Sequence, residues 1–349
     1  MSHTIRVALA TPLAPELRHL ITDVHPTVEL IVDDDLLPIQ RFPGDHDGDP
    51  DYRRSAAQQD AFMQLVSSAD VLYGIPDTDP ALLAATVRAN PRLRWVHTMA
   101  AGGGAQVRAA ALTSEEMERV QFSTSAGVHG ATLAEFALFG ILAGAKDLPR
   151  LRTQQSHRQW SERWVMRQVH EMTVLVVGLG GIGKQTAALV KALGAQVVGV
   201  RQRVAPVDSV DEVYSVDELE TLVGRADAIV FTLPGTEATD GIYGPHLIAA
   251  TKPGAIIVNV GRGTVIDEPG LIAGLQSGHL ASAFLDVFAV EPLPAESPLW
   301  AMPQVVIAPH TAGLSPHEDR RIARLFAENL RRFIAGDELV NLVDRHQFY

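Results

Sequence analysis

The chain has 349 residues, 46% of them hydrophobic and 20% charged, which is enough for two globular domains with buried cores and too apolar for a disordered protein. Its formal charge of −12 argues against a nucleic-acid binder that relies on a broad basic face. It has no cysteine, which excludes disulfides, thiolate metal sites and a cysteine nucleophile and fits a reducing compartment.

The N-terminal stretch MSHTIRVALATPLAPELRHL has no continuous apolar segment behind a basic start, so no secretory signal is expected and the chain reads as cytoplasmic. Three short apolar runs follow in order: IRVALA from Ile5, ADVLYG from Ala69 and LRWVHT from Leu93. Each lies beside a stretch rich in Ala, Leu and Arg, and that alternation predicts a parallel sheet. Between the first two, Arg41 to Asp60 is rich in Pro, Gly and charge without an apolar period, and reads as a surface excursion. The most apolar long window, Ala126 to Ala145, contains His129 and Glu135 and carries a helical rhythm, so it reads as a buried helix and no membrane partner is expected. His129 itself reads as structural. Trp160 and Trp164 stand four apart, a helical spacing, and read as packing residues of an interdomain or subunit contact.

A second alternating block starts at Thr173 and runs through TVLVVG, AQVVGV, DAIVFT, AIIVNV, ASAFLDVF and QVVIAPH. Six near-continuous apolar runs predict one doubly wound sheet covered on both faces. A last helical stretch, Pro316 to Ile334, comes after that sheet is complete and is expected to cross back to the first domain.

Directly after TVLVV comes Gly178-Leu-Gly180-Gly181-Ile182-Gly183, opening the helical pattern KQTAALVKALG. A glycine-rich turn between a strand and a helix suits a dinucleotide. The first glycine permits the tight turn, the second lets the backbone approach a pyrophosphate, the third lets helix and strand pack closely, and the helix N-terminus supplies free N–H groups. At the end of the next run, where an acid would accept hydrogen bonds from the ribose of NAD, stands Arg201, with Arg203 close behind. An arginine pairs instead with a ribose 2′-phosphate, so NADP(H) is expected in preference to NAD(H), the alternative being a solvated arginine pair on a loop.

Three further polar residues sit at or just past the ends of later runs: Arg262 in VNVGRGTVIDE, Asp286 in LDVFAVEPLP with Glu291 close behind it, and His310 in APHTAG. That edge of an open α/β sheet is where ligands bind. An arginine, a carboxylate and a histidine meeting there can hold a substrate carboxylate, fix one imidazole tautomer and deliver a proton to a carbonyl as a hydride arrives. His310 and His317 with Glu318 fit no metal-ligand spacing, so no metal site is expected.

The ordered set GLGGIG, LPGTEAT, VNVGRGTVIDE, LDVFAVEPLPAESPLW and APHTAG resembles the D-isomer-specific 2-hydroxyacid dehydrogenases, which include glyoxylate/hydroxypyruvate reductases. The resemblance is close from about Ser125 to Gly313. Before that it rests on the strand-helix rhythm and the glycine-rich turn from Ala101 to Gly104. It implies that Arg262 clamps the substrate carboxylate and carbonyl oxygen and that His310 is the general acid in reduction. Glu291 would partner the second imidazole nitrogen and favour the imidazolium. Ala101, Gly102 and Gly103 would offer backbone N–H groups to the other carboxylate oxygen. Thr239 would lie near the cofactor phosphates, Leu233 and Pro234 would wall the adenosine pocket, and Val260 and Gly261 would approach the nicotinamide ribose. Asp286 would bond the carboxamide, with Gly313 nearby.

The fold expected is therefore α/β, with two Rossmann-like or flavodoxin-like domains, parallel sheets and a cofactor cleft between them. Residues 1–124 plus 314–349 would form the substrate domain and 125–313 the dinucleotide domain. The activity implied is NADPH-dependent reduction of small 2-oxo acids to D-2-hydroxy acids by a homodimer. Two alternatives stand beside it: a dinucleotide-sensing regulator of the same fold, and a relative acting on another small anion such as formate or phosphite. Formate enzymes typically carry glutamine where Glu291 stands, which disfavours that reading. The departures from the family are Arg201 in place of an acid, HEMTV leading into the first strand of the second block, and the excursion from Arg41 to Asp60.

Overall fold

A computed structural model describes residues 4–345 and residue 348. The chain divides into two compact units, Met1–Val128 with Leu314–Tyr349, and His129–Gly313.

The first unit carries five parallel strands, β1 (Ile5–Leu9), β2 (Val28–Ile31), β3 (Val71–Tyr73), β4 (Trp95–Thr98) and β5 (Gln121–Thr124), in the order β2-β1-β3-β4-β5. This is the flavodoxin-like order, with its switch point between β1 and β3. The three apolar runs expected to form strands are β1, β3 and β4. The helix Glu318–Ala335 belongs to this unit and buries Ile322, Ala323, Phe326, Ala327 and Leu330. Its Phe326 stacks on Trp95 with ring centroids 4.7 Å apart and meets Tyr73 edge-on at 5.1 Å, so the late helix completes the first core.

The second unit carries seven parallel strands: β6 (Thr173–Val177), β7 (Gln196–Val200), β8 (Glu212–Tyr214), β9 (Ala228–Phe231), β10 (Ala255–Asn259), β11 (Leu280–Leu285) and β12 (Val305–Ile307). Their order, β12-β11-β10-β9-β6-β7-β8, is that of a Rossmann sheet, with the switch point between β6 and β9. The helix Gly130–Ala145 lies close on this sheet because Gly140 and Gly144 have no side chain: a Cβ on Gly140 would stand 3.0 Å from Phe284 and Val258, and one on Gly144 2.7 Å from Ile256. Among the described residues no helix is long and apolar enough to cross a membrane.

The expected alternation and parallel sheets are present, with three corrections. Six strands were expected in the second unit and there are seven, and β2 and β5 join the three expected in the first; the extra strands are short or partly exposed, without a long apolar run. The excursion is more ordered than its composition suggests. Its Asp45 is buried and accepts hydrogen bonds from the backbone and guanidinium of Arg41 and from the amide of Gly48, and the Arg41 side chain holds its carboxyl below the usual range. The last five residues of the excursion already begin the helix Ala56–Ser67, capped by Ser55 and Gln58. Trp160 and Trp164 share no helix, because the helix ends at Ser156; Trp160 is fully exposed, while the Trp164 ring lies 4.1 Å beneath the Arg150 guanidinium.

His97 on β4 is fully buried between two serine hydroxyls, Ser123 at 2.8 Å from Nδ1 and Ser125 at 3.1 Å from Nε2. Burial first, and His46 second, lower its pKa to about 3. The unfolded chain takes up that proton near the ordinary value of 6.5, so between about 3 and 6.5 the unfolded state binds more protons. Stability is therefore complete above pH 6.5 and lost as pH falls below it. Urea unfolding at pH 7.5 and pH 5.5 should show a loss approaching ~1.4 kcal/mol per pH unit below 6.5. His97→Gln should flatten that dependence, and an unchanged slope in the variant would refute the assignment.

Candidate active site

The glycine turn is built by close approach. Gly178 follows β6 with φ +104°, a left-handed value that suits glycine. A Cβ on Gly183 would sit 1.9 Å from the Gly178 carbonyl oxygen, so only glycine lets the helix Gly181–Ala192 start this near the strand. At Gly180 a Cβ would meet nothing within 4 Å, and the helix has no side-chain cap. Gly180 and Gly181 are exposed and Ile182 half-buried, leaving the amides of a twelve-residue helix bare for an anion. Thr232, past the end of β9, donates its hydroxyl to the Gly178 carbonyl at 2.5 Å and ties the two strand ends together.

Arg201 follows β7, its backbone N–H bonded to the Tyr214 carbonyl at 3.1 Å. It is half-buried and Arg203 is exposed, and among the described residues neither guanidinium has a hydrogen-bond or ion-pair partner. Just beyond β9, Leu233 is half-buried and Pro234 exposed. The Thr239 hydroxyl closes its own turn, donating to the Pro234 carbonyl at 2.6 Å and accepting the Thr236 amide at 2.9 Å.

At the end of β10, Asn259 is buried and shapes the next turn, accepting the Gly261 amide at 3.1 Å and donating to the Arg262 carbonyl at 2.9 Å. This residue was missed in the sequence, although an amide side chain ending an otherwise apolar strand is a signal. Val260 is buried. Gly261 is packed so that a Cβ would be 2.5 Å from the Leu233 carbonyl oxygen. Arg262 then projects as an exposed residue whose Nη1 donates to the Gly261 carbonyl at 2.8 Å.

Asp286 follows β11 and is almost wholly buried. One carboxylate oxygen accepts the amides of Thr311 at 2.8 Å and Ala312 at 2.9 Å, and its carbonyl accepts the His310 amide at 2.9 Å. Burial pushes its carboxyl up from the ordinary value while those amides pull it back. His310 is held with φ +51°. Its Nδ1 lies 2.7 Å from Glu291 Oε2, and the other Glu291 oxygen accepts the Phe288 amide at 3.0 Å. The carboxylate is thus anchored on one side and holds the ring on the other, leaving Nε2 without a partner among the described residues. Gly313 closes the unit, with His129 3.5 Å from where a Cβ would stand.

All these residues lie at the carboxyl edge of the seven-stranded sheet, and β10, β11 and β12, which carry Arg262, Asp286 and His310 at their ends, are consecutive in it. The turn of Ala101, Gly102 and Gly103 follows β4 in the other unit. Ala101 and Gly102 are exposed, whereas Gly103 is buried, with a Cβ position 1.7 Å from the Thr98 hydroxyl. The Gly103 amide bonds the Ala100 carbonyl at 3.2 Å, so the expectation that it faces a ligand is corrected: the turn needs that donor for its own closure.

The profile of the NAD binding domain of D-isomer specific 2-hydroxyacid dehydrogenases matches residues 138–312. Glyoxylate/hydroxypyruvate reductase B of Citrobacter koseri is 31% identical over 303 residues, covering 84% of this chain and 90% of that protein. D-3-phosphoglycerate dehydrogenase of Mycobacterium bovis is 33% identical over 282 residues, 78% of this chain, and the match spans only 52% of that longer relative. The crystal structure of a D-isomer specific 2-hydroxyacid dehydrogenase from Xanthobacter autotrophicus Py2, in complex with NADPH and MES, is 27% identical with a TM-score of 0.76, covering 100% of both chains.

The bonds to Asp286 make a specific demand. Asp286→Ala strands two amides, each worth ~1–3 kcal/mol if left buried and unpaired, so the melting temperature should fall by several degrees. Asp286→Asn keeps one acceptor oxygen and should lose much less. Equal melting curves for Asp286→Ala and the parent would mean that the loop after β12 is held by something else.

Proposed function

Because the chain belongs to the D-isomer specific 2-hydroxyacid dehydrogenases and is an NAD(P)-dependent oxidoreductase, we propose that it reduces small 2-oxo acids to D-2-hydroxy acids and prefers NADPH. The observation that carries this reading is the His310–Glu291 pair, a directed imidazole with one nitrogen held and the other available, at the strand edge that also bears Arg262.

The bare helix N-terminus and the open space at Gly180 fit a dinucleotide pyrophosphate, and Arg201 and Arg203, without partners among the described residues, fit a 2′-phosphate. The NADPH bound by the Xanthobacter relative supports the same choice. When bound, the dinucleotide supplies the hydride that reduces the carbonyl carbon. Arg262 holds the substrate carboxylate and the carbonyl oxygen. His310 Nε2 gives its proton to the carbonyl oxygen, producing the hydroxyl, and takes it back in the oxidation direction. Glu291 fixes the ring and offsets the imidazolium charge. Asp286 keeps one oxygen, Oδ2, for the carboxamide, and Val260, Gly261, Leu233, Pro234, Thr239 and Gly313 line the cofactor path. The second unit takes the cofactor and the first the substrate. Phe139, Leu151, Trp160 and Val165, exposed large apolar side chains within one stretch of 27 residues, support pairing with a second copy. With no cysteine, the protein suits the cytoplasm.

The direct test is the initial rate of NADPH and NADH oxidation with glyoxylate, hydroxypyruvate, pyruvate and phenylpyruvate. Tight NADPH binding without oxidation by any of them would overturn the reading in favour of a sensor. His310→Gln should keep NADPH affinity while kcat falls about 10²–10⁴-fold; loss of NADPH binding would mark the residue as structural. Arg201→Asp should lower the NADPH-to-NADH ratio of kcat/KM by about tenfold or more, and a constant ratio would remove the arginine from cofactor choice.

A further inference from the structure

We propose that Glu268 is a positioning residue for the reduction: its carboxylate holds the loop that carries Glu291, and so keeps Glu291 against His310. The inference rests on the roles proposed above for Arg262, Glu291 and His310 and adds a residue that those roles do not include.

The loop Phe288–Glu291 leaves the carboxyl edge of the seven-stranded sheet shortly after Asp286. Its first residue is anchored by apolar packing, since the Phe288 side chain is buried in the core of the second unit. The next three, Ala289, Val290 and Glu291, are exposed. Inside the loop the Phe288 amide donates to Glu291 Oε1 at 3.0 Å, and Glu291 Oε2 meets His310 Nδ1 at 2.7 Å. Apart from that bond to His310, one hydrogen bond ties these four residues to another segment among the described residues: the Ala289 amide donates to Glu268 Oε2 at 3.3 Å. An exposed stretch with so few contacts is held locally by each of them.

Glu268 comes from the segment that carries Arg262. It is half-buried and opens the helix Glu268–Gln276 directly after the N-cap Asp267, whose carboxylate accepts the Gly270 amide at 2.7 Å and whose own amide is bonded to the Tyr243 carbonyl at 3.1 Å. The start of that helix is therefore a fixed support. Between Arg262 and Glu268 the same segment meets the loop a second time. A Cβ on Gly263 would stand 2.5 Å from the Ala289 nitrogen and closer still to the Phe288 carbonyl, so backbone lies on backbone there and only glycine fits. The glycine contact is steric and stops the loop from coming nearer, whereas the carboxylate of Glu268 is attractive and stops it from leaving. Together they set the spacing between the Arg262 segment and the Glu291 loop. That spacing matters because Arg262 holds the carbonyl oxygen that His310 protonates, and a proton displaced from its acceptor transfers far more slowly.

The test is the single-turnover rate of NADPH oxidation at a saturating concentration of the fastest of glyoxylate, hydroxypyruvate, pyruvate and phenylpyruvate. Glu268→Ala should lower that rate about three- to tenfold, with the NADPH affinity and the KM of the acid within about twofold of the parent. Glu268→Asp keeps the negative charge at the helix N-terminus but draws the carboxylate back by one methylene, and should lose as much. Glu268→Gln keeps an acceptor at full length and should recover most of the rate. In a Glu291→Ala background, where there is no carboxylate left to position, Glu268→Ala should cost less than about twofold more. A parental rate in both Glu268→Ala and Glu268→Asp, or penalties that multiply with that of Glu291→Ala, would overturn the role of Glu268. If His310→Gln still abolishes turnover alongside that result, the reductase reading stands, whereas no turnover of any acid by the parent would remove both.

Discussion

The buried carboxylate of Asp286 is the constraint on which the candidate site depends. It accepts two successive amides beyond β12, and the carbonyl of the same residue accepts the amide of His310. Together these bonds dictate the path of the chain at the point where the imidazole departs. They hold His310 in a left-handed backbone conformation that a residue with a side chain adopts only when its surroundings impose it. Glu291, itself anchored on the Phe288 amide, then sets the ring through Nδ1. Burial of the Asp286 carboxylate raises its pKa and so disfavours the charged form, and the amides of Ala312 and Thr311 offset that cost.

Strand ends and helix starts supply the rest. Parallel strands deliver their polar residues to one edge, and the close approach of Gly178 and Gly183 sets an uncapped helix N-terminus on it. The protein carries a formal charge of −12, yet the groups assigned to anions are local: Arg201, Arg203, Arg262 and the amides of that helix. At physiological ionic strength a distributed surface field fades over about 8 Å, so a few oriented donors outweigh it at contact distance.

Legibility in the sequence followed burial. The central strand Ala255–Asn259 is buried throughout and, like residues 174–177, reads as an apolar run up to its terminal Asn259. The edge strand Glu212–Tyr214 is three residues of mixed character, and the strand Gln121–Thr124 hides polar side chains whose burial makes sense only through partners, Ser123 accepting the Trp95 indole N–H and meeting His97. The excursion read as a surface segment and lies mostly exposed, but its order was not legible, because it comes from a buried acid, Asp45, and an arginine four residues away rather than from apolar spacing. The spacing of Trp160 and Trp164 suggested a helix, but the chain runs without regular structure from Gln159 to Gln168, the nearest helix having ended at Ser156. For the candidate site, the positions of Arg262, Asp286 and His310 at strand ends were readable from where apolar runs stop. The support of His310 by Asp286 was not, since the two are 24 positions apart in sequence and meet through backbone atoms.

What the sequence by itself determined was the fold class, two parallel α/β sheets, and the family. Hydrophobic period, glycine spacing and strand-end polar residues are local signals that survive in one dimension. What only the tertiary structure decided was which groups are spent and which are free. The Gly103 amide is used by its own turn and the Thr239 hydroxyl by its own loop, while Arg201 and Nε2 of His310 are left without partners among the described residues. A donor is satisfied by whatever atom the fold brings within about 3 Å, and that neighbour is set by packing between segments far apart in the chain, which no single stretch of sequence specifies.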